Sequence, residues 1–106
     1  MSLEVFVTED ATRDLYGIFD YIADYDSPAK AHDVLDRLEA VIAGLADLPE
    51  RGGHPKELVK LGIREYREVH FKPYRIVYRV LGDGVYVYLV ADGRREMQTL
   101  LTRRLL

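Results

Sequence analysis

The segment Pro73-Tyr74-Arg75-Ile76-Val77-Tyr78-Arg79-Val80 constrains the fold of this chain more than any other. Tyr74, Ile76, Tyr78 and Val80 alternate with Arg75, Val77 and Arg79. A period of two in β-branched and aromatic residues specifies a strand with one buried face. Two arginines, two residues apart, then fall on the opposite face. Solvated arginines cost little, so an exposed strand face accounts for them. Guanidinium is also the group best shaped for bidentate recognition of carboxylate or phosphate. Asp92-Gly93-Arg94-Arg95-Glu96 places a second arginine pair after the next strand pattern. The repetition favours a recognition surface without naming what it recognises.

The rest of the chain supplies partners for that strand. Leu3, Val5 and Val7 alternate with Glu4, Phe6 and Thr8, a short first strand. Thr8 or Asp10 can cap the helix that follows, with Glu9 and Asp10 near its positive end. Leu15, Ile18, Phe19 and Ile22 make its apolar stripe. Ser27 is a second N-cap and Pro28 suits the first helical position. Ala31, Val34, Leu35, Leu38, Ile42 and Leu45 form the second stripe, so the two helices make an αα-hairpin that needs an apolar platform. Leu48 to Pro55 reads as a surface loop. A strand near Arg64 to His70, a bend at Lys72-Pro73, the alternating strand, a Gly82-Asp83-Gly84 hairpin turn and a buried strand over Val85 to Val90 supply the platform. Asp92 or Gly93 opens a last helix with Met97, Leu100, Leu101 and Leu105 on one side. The expected class is α+β, with an N-terminal strand, an αα-hairpin on an antiparallel sheet and a short C-terminal helix, in a single domain over residues 1–106.

A chain of 106 residues can bury a modest core without staples. It contains no cysteine, which removes disulfides, thiol nucleophiles and thiolate metal sites and is compatible with a reducing cytoplasm. His32, His54 and His70 lack close metal-ligand spacing, so neither a metal nor a cofactor is expected. No apolar run approaches the roughly 20 residues of a membrane span, and the N-terminus has no signal-peptide pattern, which together lead to the expectation of a cytoplasmic protein without a membrane partner. The net charge of −3 conceals a polarity: residues 1–50 hold twelve carboxylates and three cations, and residues 51–106 hold twelve cations and six carboxylates. Such asymmetry marks either an interaction surface or internal complementarity between acidic helices and a basic sheet. The acidic total argues against a generic nucleic-acid binder.

Several stretches together resemble the RelE/ParE superfamily of bacterial toxins from type II toxin–antitoxin systems. They are Ala11-x-x-Asp14-Leu15-x-x-Ile18-x-x-Tyr21-Ile22, Leu45-x-x-Leu48-Pro49, Arg64-Glu65-Tyr66, Tyr74-Arg75-Ile76-Val77-Tyr78 and Gly93-Arg94-Arg95. The resemblance implies the RelE/ParE-like fold over nearly the whole chain, and it implies a protein partner, the cognate antitoxin. Operator DNA is expected only through that antitoxin, whose tail should bring acidic and apolar residues to the basic second half.

Within the superfamily, RelE-like members cleave ribosome-bound mRNA and need cations and acid/base groups around the scissile phosphate. Arg75 and Arg95 match two arginines of that pattern, and His70 can stand in as a base. The family's lysines fall at Tyr66 and Glu68, and its terminal tyrosine near Leu101, so the nuclease set is incomplete. ParE-like members instead poison DNA gyrase. The resemblance therefore implies a ParE-like gyrase inhibitor with no catalytic residue favoured. The alternative is a RelE-like endoribonuclease using His70, Arg75 and Arg95, and a toxin fold without activity is a third reading. The expected target- or antitoxin-binding residues are Arg67, Arg75, Arg79, Arg94, Arg95, Arg103 and Arg104.

Overall fold

The computed structural model of the protein describes residues 2–106. The first strand, β1 (Glu4–Val7), ends where Thr8 caps α1 (Glu9–Tyr25), its hydroxyl accepting from the Ala11 amide at 3.2 Å. Ser27 caps α2 (Pro28–Gly44) in the same way, accepting from the Lys30 amide at 3.1 Å, with Pro28 at the helix start. Both helix starts thus follow from side-chain oxygens placed three residues before otherwise orphaned amides.

The remaining strands are β2 (Arg67–Phe71), β3 (Tyr74–Leu81) and β4 (Gly84–Asp92), in the order β1-β4-β3-β2. β2, β3 and β4 form an antiparallel meander, joined at Lys72-Pro73 and at Gly82-Asp83. Gly82 has φ of 57°, a conformation that glycine enters freely at the first position of a two-residue hairpin turn. β1 pairs with β4 in parallel, so the sheet is mixed and not purely antiparallel. Parallel pairing needs a long crossover, and the hairpin helices with β2 and β3 supply it. β4 is the most apolar strand and takes the centre, between β1 and β3.

The α1–α2 hairpin closes on one face of the sheet over Val69, Ile76, Tyr78, Val85, Val87 and Val90. The other face is covered by a one-turn helix, α3 (Lys56–Val59), and by α4 (Met97–Leu105). There Leu58, Leu100 and Leu101 pack on Val77, Leu89 and Ala91. Fully buried aliphatic side chains such as Leu58, Leu89 and Leu101 contribute about 1.5–3 kcal/mol each, so this second cluster is a structural layer. The strand face of Arg75 and Val77 is therefore covered, whereas alternation alone read it as solvated or free for recognition.

Three further differences have local causes. The Leu48–Pro55 segment is partly internal: Gly52 and Pro55 are buried, and Gly53 bridges to Glu68. The strand expected from Arg64 begins at Arg67, because the chain leaving the turn after α3 is still irregular over residues 63–66. The last helix begins at Met97 and not at Asp92 or Gly93. Glu96 is its N-cap, accepting from the Thr99 amide at 2.8 Å, while Asp92 holds the preceding turn by accepting from the Arg94 amide at 2.9 Å.

Candidate functional site

Arg75 and His70 face each other across β2 and β3, as the bend at Lys72-Pro73 led one to expect. The guanidinium is not free. It donates to both oxygens of Glu57 at 2.9 and 2.8 Å and, through Nε, to Glu68 at 2.7 Å. The three side chains are only 11–13% exposed. The hydrogen bond from Arg75 holds the Glu57 carboxyl below its usual range against the opposing effect of burial. Reciprocally, the bonded Glu57 raises Arg75 further above the ordinary arginine value. His70 sits at the solvent edge of this cluster, its Nε2 at 3.6 Å from Glu68. Two carboxylates around one guanidinium leave the cluster with an excess of negative charge.

The other expected arginines fall into distinct groups. Arg67 donates to the carbonyls of Gly52 at 2.7 Å and Glu50 at 3.3 Å, pinning the loop after α2. Arg79 lies 5.8 Å above the Tyr66 ring, within cation–π range. Arg104 reaches from α4 to Asp14 of α1 and to the Tyr88 carbonyl at 3.0 Å, and the Asp14 contact raises its pKa. Arg94 and Arg95 lie in the turn before α4 and outside the helix. Arg94 is exposed and paired with Asp92, which lowers the Asp92 pKa. Arg95 and Arg103 are exposed and make no ion pair among the described residues.

Two clefts meet at Tyr21, Ile22 and Tyr74. One, of about 480 Å³, runs between α1 and the end of β4; it has an apolar floor of Ile18, Val90 and Ala91 and a rim of Arg13, Arg94 and Arg95. The other, of about 700 Å³, lies between the helical hairpin and the β2–β3 turn and carries Tyr25, Lys30, Arg37 and Lys72. Burial pushes the Tyr74 hydroxyl upward where the clefts join. Tyr16, Tyr21 and Tyr25 are largely exposed on α1, at 63%, 65% and 78%. The apolar stripe drew attention away from these tyrosines, which flank it on both sides: Tyr16 lines a cleft with Leu15, and Tyr21 and Tyr25 line another with Ile22. Glu57 had no readable signal, because its meaning depends on Arg75, eighteen positions away. Among the described residues no group of His, Cys, Asp or Glu is arranged to hold a metal ion, and no helix is long and apolar enough to cross a membrane.

The three positions where the RelE-like resemblance looks for nuclease side chains hold other groups, each in a specific contact. Glu68 is an Arg75 partner, Tyr66 packs edge-on against Tyr88 at 5.6 Å, and Leu101 is wholly buried. The fold is shared with chains of solved toxin–antitoxin systems. A chain of the chromosomal ParDE TA system from P. aeruginosa superposes with a TM-score of 0.74 at 20% identity, covering 86% of this chain and 96% of that one. A chain of the RelBE2 toxin–antitoxin complex from Mycobacterium tuberculosis superposes at 0.62 with 23% identity, covering 87% and 99%. In sequence, Toxin ParE3 of Caulobacter vibrioides is 26% identical over 100 residues, which is 94% of this chain and 96% of that protein. The model of the ParE toxin of the type II toxin–antitoxin system parDE matches residues 5–97. With nearly all of its strands and helices inside that match, the chain belongs to the ParE toxin family of type II toxin–antitoxin systems.

Proposed function

We propose that this toxin arrests growth by binding and poisoning DNA gyrase in the cytoplasm, and that a cognate antitoxin neutralises it by direct binding. The observation that carries this reading is the closed Arg75–Glu57–Glu68 cluster. A phosphodiester cleavage site needs net positive charge and a free acid/base pair around the scissile phosphate. Here the one retained strand arginine is neutralised by two carboxylates, and the terminal position is a core leucine. Growth arrest then depends on a binding surface, for which the arginine-rimmed cleft beside Tyr21 and Tyr74 is the best candidate. Aromatic and arginine side chains are the types enriched at protein interfaces. The structural likeness to chains of the ParDE system and of the RelBE2 toxin–antitoxin complex supports an antitoxin as the partner. DNA contact would come only through that antitoxin.

The test compares purified toxin in a gyrase supercoiling and cleavage-complex assay with a translating extract in which mRNA ends are mapped. Inhibited supercoiling and trapped cleavage complexes without mRNA cuts are expected. Codon-linked cuts with no effect on gyrase would assign the chain to the endoribonuclease class, with His70 beside Arg75 as the first residue to mutate.

A further inference from the structure

The face of the sheet that carries α3 and α4 is covered at one end only, over Val77, Leu89 and Ala91. Toward the other end Phe6, Tyr86 and Arg79 lie in register across β1, β4 and β3, and the Tyr66 ring lies 5.8 Å from the Arg79 guanidinium. Glu4, Gly84 and Leu81 form the next row on the same strands. A Cβ on Gly84 would lie 2.8 Å from the Tyr86 ring and 3.2 Å from that of Phe6, so both rings lean over the glycine. Their centroids are 5.0 Å apart and their planes 19° from parallel, which makes an aromatic shelf. Phe6 and Leu81 are 39% and 42% exposed, and neither Arg79 nor Glu4 has an ion pair among the described residues. Exposed apolar residues grouped in this way mark an interaction surface, and aromatic and arginine side chains are the types that dominate binding.

We propose that this shelf is the contact between two copies of the chain, which pair face to face about a twofold axis. Such a contact must be self-complementary: if one residue meets a second across the axis, the second meets the first. The two rows satisfy this condition. Arg79 and Glu4 stand at opposite corners of the patch, with Phe6 and Leu81 at the other two. An axis passing close to Phe6 and Leu81 seats Arg79 of each copy on Glu4 of the other, and it sets Phe6 and Leu81 beside their own counterparts. Aromatic rows on sheets also stack nucleobases, but such sites bring cations for the phosphates. Here Arg79 is the one cation in the two rows, and Glu4 and the neighbouring Asp83 oppose a phosphate. A surface carrying both charges complements the patch better, and the chain itself is such a surface. Both clefts at Tyr21 lie beside α1, away from these rows, so pairing leaves them open and the proposal stands apart from the choice of target. The patch is small against the roughly 20 residues a side of a standard interface, so the dissociation constant should be on the order of tens of micromolar.

Sedimentation equilibrium of the purified toxin, from low to high micromolar concentration, tests the pairing. A reversible monomer–dimer equilibrium is expected. Arg79→Glu and Glu4→Arg should each weaken it by about tenfold or more, because like charges then meet across the axis. The two changes together exchange the signs of the pair and should recover wild-type association. Leu81→Asp sets two carboxylates side by side at the axis and should weaken the dimer as strongly. Thermal melts check the fold of each variant; Glu4 and Leu81 are exposed, so their replacement keeps the test decisive even where Arg79→Glu lowers stability. A chain that stays monomeric throughout, a dimer that none of these changes weakens, or a double variant no better than the single ones overturns the proposal. Fluorescence anisotropy with a labelled single-stranded oligonucleotide supplies the remaining arm. Saturable binding by a monomeric chain, lost in Phe6→Ala and Tyr86→Ala, would assign the shelf to nucleic acid and overturn the proposal as well.

Discussion

Asp14 on the first helix binds Arg104 on the last, through two hydrogen bonds of 3.0 and 2.9 Å, and also accepts from the Val90 amide at 3.0 Å. β1 pairs with β4 only as far as Val87, so the later part of the β4 edge lacks a neighbouring strand. Asp14 and Arg104 satisfy that edge in its place, Arg104 also donating to the Tyr88 carbonyl. Asp14→Ala should therefore destabilise the protein by about 2–3 kcal/mol, because it leaves a half-buried guanidinium and a buried amide without their acceptor. Urea unfolding measures the loss, and faster exchange of the Val90 amide would locate it.

Removal of Arg75 should be more damaging. Arg75→Ala leaves Glu57 and Glu68 facing each other without a cation, and breaking a buried pair in this way costs roughly 3–5 kcal/mol. Arg75→Lys should recover only part of the loss, since an ammonium cannot match two carboxylates bidentately. A soluble Arg75→Ala variant with unchanged urea midpoint would show that the cluster is not structural.

Acid should act through the same pair. The Glu57 carboxyl is lower in the folded state than its unfolded value of 4.5, so it adds stability that is fully present above pH 4.5 and lost as pH falls through the folded value. Glu57→Gln should flatten the acid limb of a stability-versus-pH curve while leaving a lower plateau at neutral pH. Chemical denaturation from pH 3 to pH 7, on the order of six points, would read both effects.

Gly52 and Tyr78 form the fourth test. The Gly52 amide donates to the buried Tyr78 hydroxyl at 3.0 Å, and a Cβ on Gly52 would lie 2.4 Å from the Glu68 carbonyl oxygen. Gly52→Ala must push the loop off β2 and should cost about 2 kcal/mol or more, in the range of core overpacking. Tyr78→Phe loses one buried hydrogen bond and should cost about 1–3 kcal/mol. Thermal melts of both variants decide whether this junction fixes the loop.

Arg94→Ala with Arg95→Ala should separate toxicity from folding. Both side chains are exposed in the turn before α4, where their removal should alter stability by no more than about 0.5 kcal/mol. Growth arrest should disappear if they form the rim of the target-binding cleft. Persistent arrest by a soluble double variant would remove them from that surface, and a sharp fall in melting temperature would reveal a structural role.

Much of the chain was legible because its signals are local. Thr8 and Ser27 cap helices three residues on, the stripes of α1 and α2 repeat every turn, and Gly82 marks its own hairpin. The site was less legible. Charge and spacing correctly put Arg94 and Arg95 in the open, but they could not show that Arg67 and Arg104 bind backbone carbonyls or that Arg75 is neutralised. An arginine in a strand looks the same in sequence whether its partner is solvent, a ligand or a carboxylate from a distant turn.

The apolar run of β4 marks the border between the two kinds of information. The sequence by itself determined that Val85 to Val90 would be buried, since no arrangement leaves so many apolar residues in water. Strict alternation would put Val85, Val87 and Leu89 on one face. In the fold, Val77 opposes Leu89 and Tyr78 opposes Val87, so Tyr88 is an extra residue and the strand changes parity there. Val85 and Val87 pack under the helical hairpin, while Leu89 and Ala91 pack under α3 and α4. Only the tertiary structure could decide this, because a bulge is selected by the layers packed on both faces of the sheet. The same holds for the parallel pairing of β1 with β4 and for the closure of Glu57 on Arg75: each joins residues distant in the chain, and their free energy exists only once the layers have met.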